Sequence, residues 1–381
     1  YGEFHRRGQQ LANALTRLGL QPGDRVATLG WNHWRHLEAY FAIPLAGGVL
    51  HTLNPRLSPQ DLTYIMNHAG DRMLLLDDVL WPVYDRFRKD VSPQHVVVWT
   101  NGTAAPEGTH DYEQMIAPEM LSFAGPRLEE NQAAGICYTS GTTGRPKGVL
   151  YSHRAIVLHS LGSALTDSLG IAQTDAVMPV VPMFHANAWG LPFTALMVGA
   201  KQVFPGPHLD AQSLLGLVQD EKVTLTAGVP TIWLGILEAL DKSPKAFDTS
   251  SLKYMVVGGA AAPQAMIEAF QKRHGLTVLH AWGMTETTPL GTVSRLKGHM
   301  ASLPEAERFR ARASQGIPTP LVELRVVGDE GPVAWDGRAM GELHVRGPWV
   351  AKAYFQNPAE ADKFTMDGWF RTGDVVTVDA E

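Results

Sequence analysis

Short apolar runs separated by helical stretches recur along most of the chain, and this alternation restricts its fold more than any other feature. Leu11, Leu15 and Leu18 share one helical face, and Gly19 follows as a stop. Pro22, Gly23 and Asp24 turn into the apolar run 26–29, a predicted strand. Residues 36–46 read as the next helix. Ser58-Pro59 is a helix start, with a hydroxyl to cap free amides and proline at the first helical position. That helix is expected to end before Gly70, and 73–76 to be the following strand. Runs 96–99, 202–204, 224–227 and 254–257 continue the pattern. Strands joined through helices pair in parallel, so an α/β protein with largely parallel sheets is expected. Residues 301–313, rich in charge and alanine, read as a solvated helix or loop. From about Leu321 the texture changes. Runs 322–327 and 342–346 are short and broken by Gly-Pro turns, which predicts a small antiparallel or barrel-like subdomain.

One stretch carries chemistry by itself. Residues 138–149 read YTSGTTGRPKGV. Gly141, Gly144 and Gly148 let a backbone approach a phosphate closely. Thr139, Ser140, Thr142 and Thr143 add hydroxyl donors, and Lys147 adds a compact cation. Each charge-assisted hydrogen bond to a phosphate contributes about 1.5–3 kcal/mol. The stretch is not a Walker loop, because Lys147 is followed by Gly148 where that pattern needs Ser or Thr.

Composition excludes several other classes. The 381 residues are 45% apolar, enough for a large core and more than one domain. A net charge of -6 and a pI near 6.2 give no footprint for nucleic acid and no polybasic patch for a membrane. Cys137 is the only cysteine, so no disulfide forms within the chain, which fits a reducing cytoplasm. Residues 176–200 lack Asp, Glu, Lys and Arg, yet Pro179, Pro182, Pro192, His185 and Asn187 would be ill-suited to lipid. A buried path through a protein core is expected there.

The glycine-rich stretch closely resembles the phosphate loop of the adenylate-forming superfamily of acyl-CoA synthetases, peptide-synthetase adenylation domains and luciferases. Three more strings resemble that family's motifs, in the family's order. VVGGAAAP at 256–263 resembles its adenine-pocket strand and turn. HAWGMTETTP at 280–289 resembles the motif between adenine and the reacting phosphate. DGWFRTGD at 367–374 resembles its ribose motif. The resemblance spans essentially the whole chain. It implies the family's large N-terminal domain: two stacked α/β subdomains with mixed sheets over 1–320, then a β-rich subdomain over 321–381. It also implies ATP, Mg²⁺ and coenzyme A as the small molecules used.

By the same resemblance, Thr139, Ser140, Gly141, Thr142, Thr143, Gly144 and Lys147 would hold phosphates. Gly259, Ala260, Ala281, Trp282, Gly283, Met284 and Thr285 would hold AMP, with Thr285 on the α-phosphate and Trp282 stacked on adenine where the family usually has Tyr. Asp374 would accept from the ribose hydroxyls. Glu286, with Thr139, would hold Mg²⁺. PMFHANAWG at 182–190 most resembles fatty acyl-CoA synthetases. His185 would stabilise charge at the reacting carboxylate, and Trp189 would gate an acyl pocket bordered by Gly190, Val229, Gly258 and Gly259. Gly228, Pro230, Thr231 and Trp233 are expected on the same pocket. The implied activity is ATP-dependent fatty acid–CoA ligation. The resemblance leaves room for peripheral membrane contact and for a homodimer.

Two rivals share the fold. An amino-acid adenylation domain would want an acidic partner for the substrate ammonium, and no Asp or Glu lies between Asp175 and Asp210. An aryl–CoA ligase differs by few pocket residues. A third reading is a nucleotide-binding module without catalysis. The family's C-terminal lid, with its adenylation lysine and much of the CoA site, is not among these residues. A chain starting at Tyr1 and stopping at Glu381 is therefore expected to bind nucleotide but adenylate poorly.

Overall fold

The computed structural model describes residues 1–139 and 144–381, and three sheets organise them. In the first, the spatial order is His110–Asp111, His95–Trp99, Asp71–Asp77, Arg25–Leu29, Val49–Thr52, Ala133–Tyr138, Gly148–Ser152. Its pairs are parallel except the last, where Gly148–Ser152 runs back along Ala133–Tyr138. The nine residues between those strands are too few for a crossover, which needs a dozen or more, so only a hairpin closes there. The sheet is thus largely parallel with one antiparallel edge, the mixed sheet that the resemblance implied, and the stretch 138–149 spans the hairpin's connection.

The second sheet repeats the scheme. Its order is Ile317–Pro318, Leu290–Val293, Val278–Gly283, Tyr254–Val257, Leu225–Gly228, Ala176–Pro179, Lys201–Gln202. The two pairs involving Leu290–Val293 are antiparallel and the others parallel. The third sheet is antiparallel throughout, in the order Gly331–Pro332, Glu323–Gly328, Gly341–Arg346, Phe370–Val376.

Local sequence explains most boundaries. Ser58 accepts from the Asp61 amide at the start of the helix Pro59–Ala69, and Gly70 ends it in the left-handed region at φ 67°. Leu11 and Leu15 lie fully buried on the helix Gly2–Arg17. The second helix is Trp34–Leu45, starting two residues before the expected 36 because the His33 side chain caps it by accepting from the His36 amide. The strand at Lys201–Gln202 stops short of Phe204. Residues 301–313 hold the helix Glu305–Ala313, in which only Phe309 is buried.

The first two sheets share one core, in which Leu15, Val26 and Tyr40 meet Val177, Ala227 and Val256. Asn32 stitches the halves: its amide donates to the Pro179 and Val181 carbonyls at 2.9 and 3.0 Å and accepts from the Met183 amide at 2.7 Å. The third sheet packs Val326, Leu343, Val345 and Phe370 against Cys137, Val149 and Tyr151, so it leans on the strands that flank the phosphate loop. Segment 176–200 runs through this core, as expected of it, and no helix among the described residues is long and apolar enough to cross a membrane.

Candidate active site

The phosphate-loop stretch is closed at its base by two hydrogen bonds. The Thr139 amide donates to the Lys147 carbonyl at 3.0 Å, and the Lys147 amide donates to the Thr139 hydroxyl at 3.1 Å. Ser140, Gly141, Thr142 and Thr143 lie outside the described residues. Gly144 is exposed. Gly148 must be small: a Cβ there would lie 3.1 Å from Ile136 and Tyr138 and 3.2 Å from Phe355. The Phe355 amide also donates to the Gly148 carbonyl at 2.8 Å. The Lys147 ammonium lies 2.7 Å from a Glu360 carboxylate oxygen and 5.2 Å from the centre of the Tyr354 ring.

A cavity of about 570 Å³ opens beside the second sheet. Ala281, Trp282, Gly283, Met284 and Thr285 line it from the C-terminal end of the strand Val278–Gly283. Leu169, Leu191, Val256 and Leu290 add apolar wall, and Leu290 pairs directly with Gly283. His185, Trp189, Gly258 and Gly259 line the same space. Nine of the sequence-derived positions therefore converge on one space. Ala260, Val229 and Gly190 do not reach its wall. Ala260 sits exposed in its turn, and Val229 packs 3.5 Å from where a Gly259 Cβ would be. Gly190 instead faces a separate cavity of about 180 Å³ with His159. The pocket role expected of Trp233 is corrected: its indole is fully buried and donates to the Val256 carbonyl at 3.1 Å, while Ala227 takes the wall position. The apolar lining residues had no signal in the sequence beyond hydrophobicity.

His185 also borders a third space, of about 340 Å³, with Tyr138 and Thr139. It therefore stands between the main cavity and the base of the phosphate loop. Its imidazole keeps solvent access through these cavities, and the protein around it, then the nearby Arg56 guanidinium, lower its pKa. A neutral ring can donate one N–H to a carboxylate or phosphoryl oxygen.

Trp189 is aimed by unusual backbone. Ala186, Asn187, Ala188 and Trp189 have φ of 42°, 52°, 50° and 56°, and Gly190 follows at 72°. This is one turn of left-handed helix, at about 1–2 kcal/mol per non-glycine residue. Bonds from the Ala188 amide to the His185 carbonyl and from the Gly190 amide to the Asn187 carbonyl close it, at 3.1 and 3.0 Å. The Cys137 thiol donates to the Asn187 side-chain oxygen at 3.2 Å. The result lays the indole on the Gly258-Gly259 turn: a Cβ on Gly258 would lie 3.0 Å from the Trp189 ring and 3.0 Å from the Ala281 carbonyl oxygen.

Trp282 reaches the third sheet. Its indole N–H donates to the exposed Asp374 carboxylate at 2.9 Å. Gly291, which sequence reasoning missed, makes room for the ring; a Cβ there would come within 2.4 Å of it. Next in the chain, the Thr285 carbonyl accepts from the Tyr151 hydroxyl at 2.7 Å. Glu286 is 95% buried by its own complement, being 5% exposed, and accepts from the Tyr354 hydroxyl at 2.6 Å. Burial, then the Glu286 charge, push the Tyr354 pKa up, so the hydroxyl stays a donor. Among the described residues no group of three or more His, Cys, Asp or Glu side chains could hold a metal. A single carboxylate fits a hard cation shared with substrate phosphates, not one caged by protein.

The profile of the family described as AMP-binding enzyme matches residues 1–355. The long-chain-fatty-acid–CoA ligase of Thermus thermophilus is 49% identical over 100% of this chain and 70% of its own length. The medium-chain-fatty-acid–CoA ligase of Ectopseudomonas oleovorans is 45% identical over the same shares, 100% and 70%. Among solved structures, an anthranilate CoA ligase in complex with anthranoyl-AMP superposes with a TM-score of 0.88 at 26% identity, covering 99% of this chain and 70% of that one.

Proposed function

The chain belongs to the AMP-binding enzyme family, and from that footing we propose that it is an AMP-forming acid–CoA ligase whose acid is a fatty acid. The observation that carries the reading is one cavity lined both by Trp282, Gly283 and Thr285 and by the apolar Leu169, Leu191, Val256 and Leu290. A nucleotide and an apolar acid held there would meet beside His185. The two fatty-acid ligases at 49% and 45% identity support the same acid class.

The chemistry follows from these positions. The acid's carboxylate oxygen attacks the α-phosphorus of ATP, and the bond to pyrophosphate breaks. The acyl-adenylate is a mixed anhydride, so the coenzyme A thiol can attack its carbonyl carbon and AMP leaves. Trp282 offers adenine a π face. Asp374 accepts from the ribose hydroxyls. Thr285 and His185 hold oxygens at the α-phosphorus, and Lys147 with Thr139 and the loop hydroxyls holds the β- and γ-phosphates. Glu286, with Thr139, would hold Mg²⁺, which supplies charge neutralisation of the phosphates when bound. The apolar walls fix the tail and keep water away from the anhydride. Residues 1–320 would supply both pockets and 321–381 the ribose carboxylate.

The test is a panel of acids from C4 to C18 plus benzoate, assayed for CoA-dependent AMP release with the full-length protein. Best activity on benzoate would replace the fatty acid with an aryl acid. A cytoplasmic setting belongs to this reading, supported by the lone buried thiol of Cys137. So does peripheral membrane contact, for which the exposed Val157, Leu161 and Leu165 offer apolar side chains. Failure to co-sediment with vesicles would remove the contact, and a monomeric mass by sedimentation equilibrium would remove a homodimer.

A further inference from the structure

The lysine assigned to the nucleotide's outer phosphates already has an anionic partner. Lys147 and Glu360 pair at 2.7 Å, with 18% and 29% of their side chains exposed, so the contact is only partly screened by water. Glu360 lies in the turn Pro358–Lys363, far from the phosphate loop in sequence. The approach is anchored independently of the charges. The Phe355 amide holds the Gly148 carbonyl, the Ala351 amide holds the Glu286 carbonyl at 2.8 Å, and Phe355 packs against His68 with ring centroids 5.7 Å apart. Tyr354 sits between the two charged ends, its ring below Lys147 and its hydroxyl on Glu286. One short segment therefore occupies both the cation and the carboxylate that the ATP reading needs.

We propose that Glu360 is the exchange partner for the β- and γ-phosphates on Lys147. It holds the ammonium in the nucleotide-free protein, gives it up when ATP binds, and retakes it as pyrophosphate leaves. The inference rests on the reading that this cavity takes ATP. Its physical basis is substitution of one anion by another at a single cation. The ammonium is never left unpaired, and a carboxylate beside the phosphates lowers their affinity by repulsion and competition. AMP has no β- or γ-phosphate and requires no exchange, so Glu360 discriminates ATP and pyrophosphate from AMP.

The experiment is calorimetric titration of the full chain with ATP, inorganic pyrophosphate and AMP, for wild type, Glu360→Gln and Glu360→Ser. Both substitutions are expected to tighten ATP and pyrophosphate about fivefold and leave AMP unchanged. In a Lys147→Met background, Glu360→Gln is expected to have no effect on ATP. Equal shifts for ATP and AMP, unchanged ATP affinity in both variants, or persistence of the effect without Lys147 would overturn the exchange. Wild-type protein that binds AMP and ATP while the variants show no selective shift sinks this inference alone. Wild-type protein that binds neither sinks the ATP reading and the inference with it.

Discussion

The indole N–H of Trp282 donates to Oδ2 of Asp374 at 2.9 Å across 92 residues of sequence, joining the strand Val278–Gly283 of the second sheet to the strand Phe370–Val376 of the third. A tyrosine or phenylalanine ring could stack on adenine equally well, but only the indole N–H also fixes this carboxylate in this geometry. Trp282→Phe is expected to weaken AMP binding about fivefold, the effect of losing one hydrogen bond to a charged group that water partly replaces. Asp374→Ala is expected to weaken it by tenfold or more. Titration calorimetry with AMP checks both, and an unchanged Trp282→Phe affinity would deny the hydrogen bond any part in placing Asp374.

Gly258 and Trp189 are in contact, and a methyl group on Gly258 must displace either the indole or the Ala281 carbonyl. Gly258→Ala should therefore raise KM for the acid about tenfold, by overpacking at the Trp189 contact. Trp189→Ala should move the preferred acid to longer chains. An acid panel on both variants decides, and an unaltered chain-length profile in Trp189→Ala would remove the gate.

Glu286→Gln keeps the shape of the side chain and its contact with the Tyr354 hydroxyl while removing the charge. ATP binding should then lose about tenfold of its Mg²⁺ enhancement, with metal-free ATP affinity little changed. Titrations with ATP at increasing Mg²⁺ test this. The same Mg²⁺ enhancement in wild type and variant would take Glu286 out of the metal role.

Asn32 makes three hydrogen bonds that join the two α/β halves. Asn32→Ala strands two carbonyls and an amide in the interior, so unfolding free energy should drop by about 2–4 kcal/mol. Urea denaturation measures it, and a loss under 1 kcal/mol would mean that water reaches those groups.

His36 and His159 are fully buried, and burial pushes both pKa values down to about 3. At His36 the neighbouring His33 adds to the effect, and the Trp31 carbonyl and Asp77 oppose it. Each ring stays neutral when folded but takes a proton when unfolded below its ordinary value of 6.5. The unfolded state then binds more protons, so stability is full above pH 6.5 and falls as pH drops from there toward 3. The expected slope is about 1.4 kcal/mol per pH unit for each histidine. His159→Gln, which can still accept from the Leu290 amide, should remove one histidine's share. An unchanged slope between pH 6 and 5 would show that His159 is already protonated in the fold.

Legibility differed by kind of feature. The helix Pro59–Ala69 was readable to the residue because Ser58, Pro59 and Gly70 each act through their own backbone. The hairpin Ala133–Tyr138 to Gly148–Ser152 was missed as an antiparallel pair, although the short connection was visible, because the apolar runs alone do not carry strand direction. Trp233 looked like a pocket residue and proved to be core, since an apolar ring near the site satisfies both descriptions until its neighbours are known.

The sequence by itself determined the alternation of elements, the cap at Ser58, the glycine, hydroxyl and lysine content of 138–149 and the set of residue types around Trp282, Thr285, Glu286 and Asp374. These depend on local backbone preference and on functional groups, which a linear string states directly. Only the tertiary structure decided the left-handed turn that aims Trp189, the hydrogen bond from Trp282 to Asp374, and the pairing of Lys147 with Glu360. The first runs against the intrinsic preference of Ala and Trp and persists only because surrounding contacts outweigh about 1–2 kcal/mol for each of them. The other two join positions far apart in the chain, and their geometry comes from how the third sheet packs on the strands beside the phosphate loop.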